Sequence, residues 1–179
     1  MAAVVPEVRR RGISLNTVVV YVVARAANDV PEFRQRIRGD SVVEHDVVHP
    51  ASTVMAGGDL FTFAFFDYSP DFEVFSAHVA EETARVRATP SLADPPGRDD
   101  LLFMTAIPWV AFTSFEHPMP GDPDDSIPRF AWGRCREIDG RNAMPLNAQL
   151  HHALADGLHA SRFYERVTAY LGDPTLFLG

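Results

Sequence analysis

Residues 146–160 read LNAQLHHALADGLHA. Ahead of the paired histidines, Met144, Leu146, Ala148 and Leu150 alternate with Asn147, Gln149 and His151, the period-two pattern of a strand with one buried face. Parity carries His152 onto the face of Leu150, just before the chain breaks at Asp156-Gly157. A strand that delivers an imidazole to its apolar side places a proton acceptor in a low-dielectric pocket, which is what a general base needs. Upstream, residues 130–137 and 141–150 are expected to form a hairpin around Asp139-Gly140, a type I′ signal. Downstream, residues 157–171 read as a helix with Leu158, Phe163, Val167 and Leu171 near one face, ending at Gly172 and Pro174.

The chain of 179 residues, 46% hydrophobic and 11% aromatic, suffices for one domain with a sizeable core, and residues 1–179 are read as that single domain. A formal charge of −8, with only Arg9 to Arg11 as a local basic run, argues against nucleic-acid and anionic-membrane partners. Cys135 is the sole cysteine, so no intrachain disulfide is expected. No apolar run reaches about 20 residues, and the first residues do not have the layout of a signal peptide. The protein therefore reads as soluble and cytoplasmic. GxGxxG, Walker and CxxC motifs are absent, so nucleotide-dependent and redox chemistry lose their usual sequence support.

Residues 4–11 fit a short helix ended by Gly12, with its arginines in the last turn. Residues 17–28 form an apolar run, with Asn16 as a possible N-cap, whose β-branched content suits helix and strand alike. Another helical turn or two is expected at 31–37, then a turn at Gly39-Asp40 and short strands at 42–44, 47–49 and 53–55. Gly57-Gly58 turns the chain into an aromatic strand at 61–66. Ser69 is positioned to cap a helix from Pro70 to Ala88, with Phe72, Phe75, Val79 and Val86 inward and Glu73, Glu81, Glu82, Arg85 and Arg87 outward. Loops are expected at 89–100 and at the Pro- and Asp-rich 117–128, with strands at 101–107 and, beyond the interruption at Pro108, at 109–115. Strands mixed with two long helices give an α/β or α+β sandwich, its helices packed on a mostly antiparallel sheet.

The HHxxxDG pattern of residues 151–157 resembles the signature of the CoA-dependent acyltransferases. PEFRQRI (31–37), DVVHPASTV (46–54), IPWVAFTSF (107–115) and PLNAQLHHALADGLH (145–159) follow in the order found in chloramphenicol acetyltransferases, a resemblance running from about Ser14 to Leu171. The resemblance implies the two-layer arrangement of that fold and settles 17–28 as a helix. It implies acetyl transfer from acetyl-CoA to a hydroxyl of chloramphenicol. On this reading His152 is the general base and the hydroxyl of Ser114, in AFTSF, helps hold the tetrahedral intermediate. Asp156 is structural, pairing in the family with an arginine from an early segment, and Gly157 serves the tight turn. Arg134 lies close to a basic position of the family, although a solvated strand face explains it equally well.

Family members have their site between the subunits of a trimer, so a homotrimer is expected here. The apolar strands at 61–66 and 101–107, which exceed what two helices can cover, point the same way. No metal is expected: His151, His152, Asp156 and His159 have zinc-compatible chemistry, but adjacent histidines on a strand project to opposite faces. His45, His49, His78 and His117 read as surface or loop residues, and Cys135, without a flanking base, as inert. Relative to the family, the chain reads as lacking an N-terminal segment of roughly thirty residues, an estimate from the resemblance. Arg9, Arg10 and Arg11 do not match the arginine that segment would carry. Two alternatives therefore stand beside chloramphenicol acetylation: a same-fold acyltransferase with another hydroxylated or thiol acceptor, and a catalytically impaired binding protein.

Overall fold

Gly12, at φ 68°, stops helix α1 (Val4–Arg11) where the sequence places the stop, in a left-handed conformation that favours glycine. The structure is a computed structural model that describes residues 1, 3–93, 95–119, 121–122 and 124–178. Asp94, Pro120 and Pro123, in the two segments expected as loops, lie outside the described residues. Helix α2 (Leu15–Asn28) is capped by Ser14 rather than Asn16, the Ser14 hydroxyl accepting from the Thr17 N–H at 3.4 Å. Asn16 already lies inside the helix, whereas Ser14 has the extended backbone that a cap requires.

Val18, Val19, Val20, Tyr21, Val22 and Val23 are all buried in α2. A helix apolar all round is a central helix, and burial of each large side chain, about 1.5 to 3 kcal/mol, overrides the mild β preference of valine. Its end is pinned by Asn28, whose amide donates to Val48 O and accepts from Val48 N, both at 2.9 Å.

The segment expected as helix at 31–37 is instead a 3₁₀ turn (Pro31–Arg34) followed by strand β1 (Gln35–Arg38). Strand β1 pairs antiparallel with β2 (Ser41–Glu44). Long-range bonding of Arg36, only 1% exposed, overrides local propensity there. Its guanidinium donates to the carbonyls of Phe33 (3.0 Å), Gln35 (2.6 Å), Asp99 (2.6 Å) and Leu101 (2.7 Å). Burial pushes this group down to about 10, against the pull of Asp99 and Asp100.

Strand β3 (His49–Gly57) is continuous where two short strands were expected, and it turns into β4 (Leu60–Phe65). Helix α3 (Phe72–Ala88) is capped by Asp71 rather than Ser69, with Asp71 Oδ1 accepting from Glu73 N at 2.8 Å and Val74 N at 3.2 Å. Its buried residues are Phe72, Phe75, Val79 and Val86, as the spacing predicts. Strand β5 (Leu101–Ile107) has the expected bounds, but residues 110–119 do not continue as a strand. Pro108 cannot donate to a ladder, and Val110 N bonds back to Ile107 O at 3.2 Å, closing a turn.

Strands β6 (Arg129–Gly133), β7 (Arg136–Ile138), β8 (Arg141–Ala143) and β9 (Leu146–Gln149) form an interrupted hairpin. Its tip has positive φ at both Asp139 (51°) and Gly140 (74°), as a type I′ turn requires. Helix α4 (Gly157–Gly172) closes the domain with Phe163, Val167, Tyr170 and Leu171 inward. Leu158, expected on that face, is instead 57% exposed in the first turn.

The main sheet has the order β4-β3-β5-β6-β9. Within it β3–β4 and β6–β9 are antiparallel while β3–β5 and β5–β6 are parallel. The outlying ribbons β1–β2 and β7–β8 make antiparallel pairing predominate among the described residues. One sheet face sends Ala64, Phe66, Leu102, Met104, Phe130 and Trp132 into a single core with the helices. On the other face Met55 and Phe61 remain 43% and 45% exposed, and Phe63, Phe65 and Phe103 are half-buried. The result is the two-layer sandwich expected from the sequence.

Candidate active site

Leu146, Ala148 and Leu150 pack on the core as their parity predicts, but β9 ends at Gln149, and the two histidines lie beyond it. The His151 carbonyl accepts from Leu154 N at 3.0 Å and Ala155 N at 3.1 Å, while its Nδ1 accepts from Ala153 N at 3.3 Å. These bonds curl the chain into a turn and lift His152 out of the strand. His152 is therefore exposed in a turn, not buried on the apolar face of a strand. The strand alternation fails because local bonds to His151 end the ladder first.

The turn nonetheless prepares the His152 ring. Its Nδ1 lies 3.3 Å from the Ala155 carbonyl oxygen, which can only accept, so in the neutral imidazole this nitrogen carries the proton. Nε2 is left with its lone pair available, the state a base requires.

Asp156 follows as the N-cap of α4. Its Oδ1 accepts from Leu158 N at 2.9 Å and His159 N at 3.4 Å, and the His159 ring accepts from Asp156 N at 3.1 Å, completing a capping box. The Leu158 and His159 N–H bonds hold the Asp156 carboxyl below its ordinary range. The carboxylate is exposed, so the cost expected of a buried unpaired charge does not arise. Gly157 does not have positive φ, and a Cβ there would meet nothing within 4 Å. The backbone therefore does not need glycine at 157, contrary to the tight-turn expectation.

Ser114 lies in the irregular segment after Pro108 and is exposed. Two ties fix this segment. Arg134 N donates to Val110 O at 2.7 Å, and His117 N donates to Gln149 Oε1 at 2.9 Å, the latter anchoring it to the last residue of β9, three positions before His152 in the chain. A third constraint is steric: a Cβ on Gly133 would collide with Val110 O and come to 2.9 Å from Pro145 Cγ. His117 lies in a loop, as expected, but is half-buried there, and burial pushes its imidazole down. His49, likewise lowered by burial, accepts from Tyr68 N through Nδ1 at 3.1 Å.

A cleft of about 1260 Å³ opens between the start of α2, α3 and the ends of β5 and β6, with Trp109, Arg134 and Cys135 in its wall. A smaller cavity of about 250 Å³ lies on the open sheet face against Phe63, Phe65, Phe103, His117 and Arg129. Neither His152 nor Ser114 lines either cavity. Among the described residues no group of three or more His, Cys, Asp or Glu is arranged to hold a metal ion, and no helix is long and apolar enough to cross a membrane. The roles of Gly133, Gln149 and the His159 ring were not legible in the sequence because each acts through a contact made only on folding.

This sandwich is the fold of CoA-dependent acyltransferase catalytic cores. A truncated catalytic core of the 2-oxoacid dehydrogenase multienzyme complex from Thermoplasma acidophilum matches with a TM-score of 0.73 at 15% identity, over 97% of this chain and 82% of that one. The family model described as chloramphenicol acetyltransferase matches residues 1–168, and the chain belongs to that family. It is 35% identical over 162 residues to the chloramphenicol acetyltransferase of Streptomyces acrimycini, covering 87% of this chain and 72% of that protein. A solved chloramphenicol acetyltransferase structure matches with a TM-score of 0.80 at 28% identity, over 93% of this chain and 81% of that one.

Proposed function

We propose that this protein transfers the acetyl group of acetyl-CoA to a hydroxyl of chloramphenicol by direct attack, with His152 as general base and Ser114 as oxyanion donor. Beyond family membership, the observation that carries this reading is the His152 ring, with Nδ1 satisfied at Ala155 O and Nε2 free. Nε2 takes the hydroxyl proton as the oxygen attacks the thioester carbonyl. The Ser114 hydroxyl donates to the oxyanion of the tetrahedral intermediate. Collapse expels the CoA thiolate, which recovers the proton from the imidazolium, leaving an acetyl ester and free CoA. Asp156 caps α4 and takes no proton. We assign the reaction to the cytoplasm and require no metal for it.

We further propose a homotrimer with its sites between subunits. His152 and Ser114 are both exposed in the single chain, and among the described residues the face bearing Phe61, Phe63, Phe65 and Phe103 has no covering layer of helices. Light scattering in dilute solution tests the assembly, and a stable monomer with full activity refutes it.

Thiol release from acetyl-CoA, followed spectrophotometrically with and without chloramphenicol, tests the reaction. Release should depend on chloramphenicol and fall about 10²-fold or more in His152→Ala, with the fold retained because the ring is exposed. Parental activity in that variant overturns the assignment of the base.

A further inference from the structure

We propose that Glu32 is a positioning residue for His152, acting through His159 and the peptide unit between Ala155 and Asp156; the proposal rests on His152 being the base. The chain of contacts is continuous. Glu32 Oε1 lies 3.3 Å from His159 Nε2, with the two side chains 22% and 21% exposed. His159 Nδ1 accepts the Asp156 N–H at 3.1 Å, so in the neutral ring the proton sits on Nε2, facing Glu32. The Asp156 N–H and the Ala155 C=O belong to one peptide unit, and that carbonyl is where His152 Nδ1 donates, at 3.3 Å.

A peptide unit is planar and stiff, so its N–H and C=O turn together. Holding the N–H on the His159 ring fixes the direction of the carbonyl, and the carbonyl fixes which nitrogen of His152 carries the proton and where Nε2 points. Linked hydrogen bonds also polarise one another, so a carboxylate behind His159 strengthens the bond at the far end. The other Glu32 oxygen, Oε2, is buried without a hydrogen-bond partner among the described residues. Among the described residues His159 is the cation-capable group that Glu32 meets within ion-pair distance. His159 Nδ1 also lies 2.9 Å from Asp156 Oδ1, so the other tautomer, with the proton on Nδ1 instead of facing Glu32, would give that N–H to the carboxylate and release the plane.

The test compares Glu32→Ala and Glu32→Gln with the parent and with His152→Ala. Acetyl transfer is measured together with ¹⁵N NMR of the His152 ring and the unfolding midpoint. Glu32→Ala should lower kcat about tenfold, the scale of a small misplacement of a reacting group, with KM for both substrates within about twofold. The Nδ1-protonated share of His152 should fall alongside. Glu32→Gln should restore kcat to within about twofold, because its amide oxygen can stand where Oε1 stands, 3.3 Å from His159 Nε2.

If Glu32→Ala keeps parental kcat while His152→Ala is inactive, the relay is refuted and the base assignment stands. If kcat falls only with the unfolding midpoint, the His152 tautomer is unmoved and Glu32→Gln does not recover activity, Glu32 is merely an anchor for α4 and the proposal fails. Parental activity in His152→Ala overturns the base assignment and any catalytic role for Glu32 with it.

Discussion

Replacing Gly133 with alanine tests how the Ser114 segment is held. Gly133 ends β6 opposite Ile107 and does not have positive φ, so glycine is needed there for space and not for backbone freedom. The added methyl would collide with the Val110 carbonyl oxygen, approach Pro145 Cγ to 2.9 Å and press on Phe112 Cδ1 at 3.1 Å. Two of these atoms are poor at yielding. Val110 O is backbone and accepts from Arg134 N at 2.7 Å, and the Pro145 ring is tied to Gly133 through its own carbonyl at 3.1 Å. Room is therefore made by moving residues 110–112 outward. Overpacking strain of roughly 1 to 3 kcal/mol adds to the loss of one hydrogen bond, roughly 0.5 to 1.5 kcal/mol, for about 1.5 to 4.5 kcal/mol in all. For a domain of this size that lowers the thermal midpoint by roughly 3 to 18 °C.

Because Ser114 lies only two residues beyond Phe112, kcat should fall by about tenfold or more, beyond what the unfolded fraction accounts for. Denaturant unfolding, with midpoint and slope fitted separately, and the thiol-release assay at a temperature where both proteins are folded measure the two effects. Gly157→Ala is the internal control, since its methyl would meet nothing within 4 Å, and its stability should match or exceed the parent. Gly133→Ala unfolding at the parental midpoint would show that the segment is free to move aside and refute the reasoning.

The oxyanion role proposed for Ser114 predicts that Ser114→Ala reduces kcat with little change in chloramphenicol KM, since such a donor acts on charge that develops in the transition state; an effect confined to KM would reassign it to acceptor binding. Stability should fall on acidification below about pH 6.5, the ordinary value from which burial lowers both His49 and His117. In that window the unfolded chain binds protons that the buried rings refuse, so the unfolded state gains. The contribution is fully present above that pH, and denaturation midpoints at pH 5.5 and 7.5 measure it. His117→Gln should flatten the slope, and an unchanged slope would show that the His117 ring is hydrated in the folded state.

What the sequence made legible was local in origin. The α1 stop at Gly12, the inward face of α3, the bounds of β5 and the Asp139-Gly140 turn each follow from a few adjacent residues. The caps were misassigned by two residues because Ser14, Asn16, Ser69 and Asp71 are all competent, and only the entering backbone selects among them. Residues 35–38 form a strand because Arg36 finds carbonyls at 99 and 101, more than sixty positions away, which no periodicity records.

The same distinction explains the site. Alternation correctly put Leu146, Ala148 and Leu150 on the core, then overran, since nothing in a period-two pattern announces that the His151 carbonyl will collect two N–H groups and end the strand. A base on a strand would have been oriented by its packed neighbours, whereas a base in a turn, exposed on its own chain, has to be oriented by hydrogen bonds. That requirement falls on the Ala155 carbonyl, on the ring of His159 and on Glu32, none of which the motif identifies as functional. The low dielectric expected around His152 is likewise missing from the single chain. Under the proposed trimer it is supplied by a neighbouring subunit and by the bound substrates, so the orientation of the base and its desolvation have separate sources. Glu32→Ala should then disturb the first without changing the assembly, and dissociation of the trimer should abolish the second while leaving the His152 tautomer as it was.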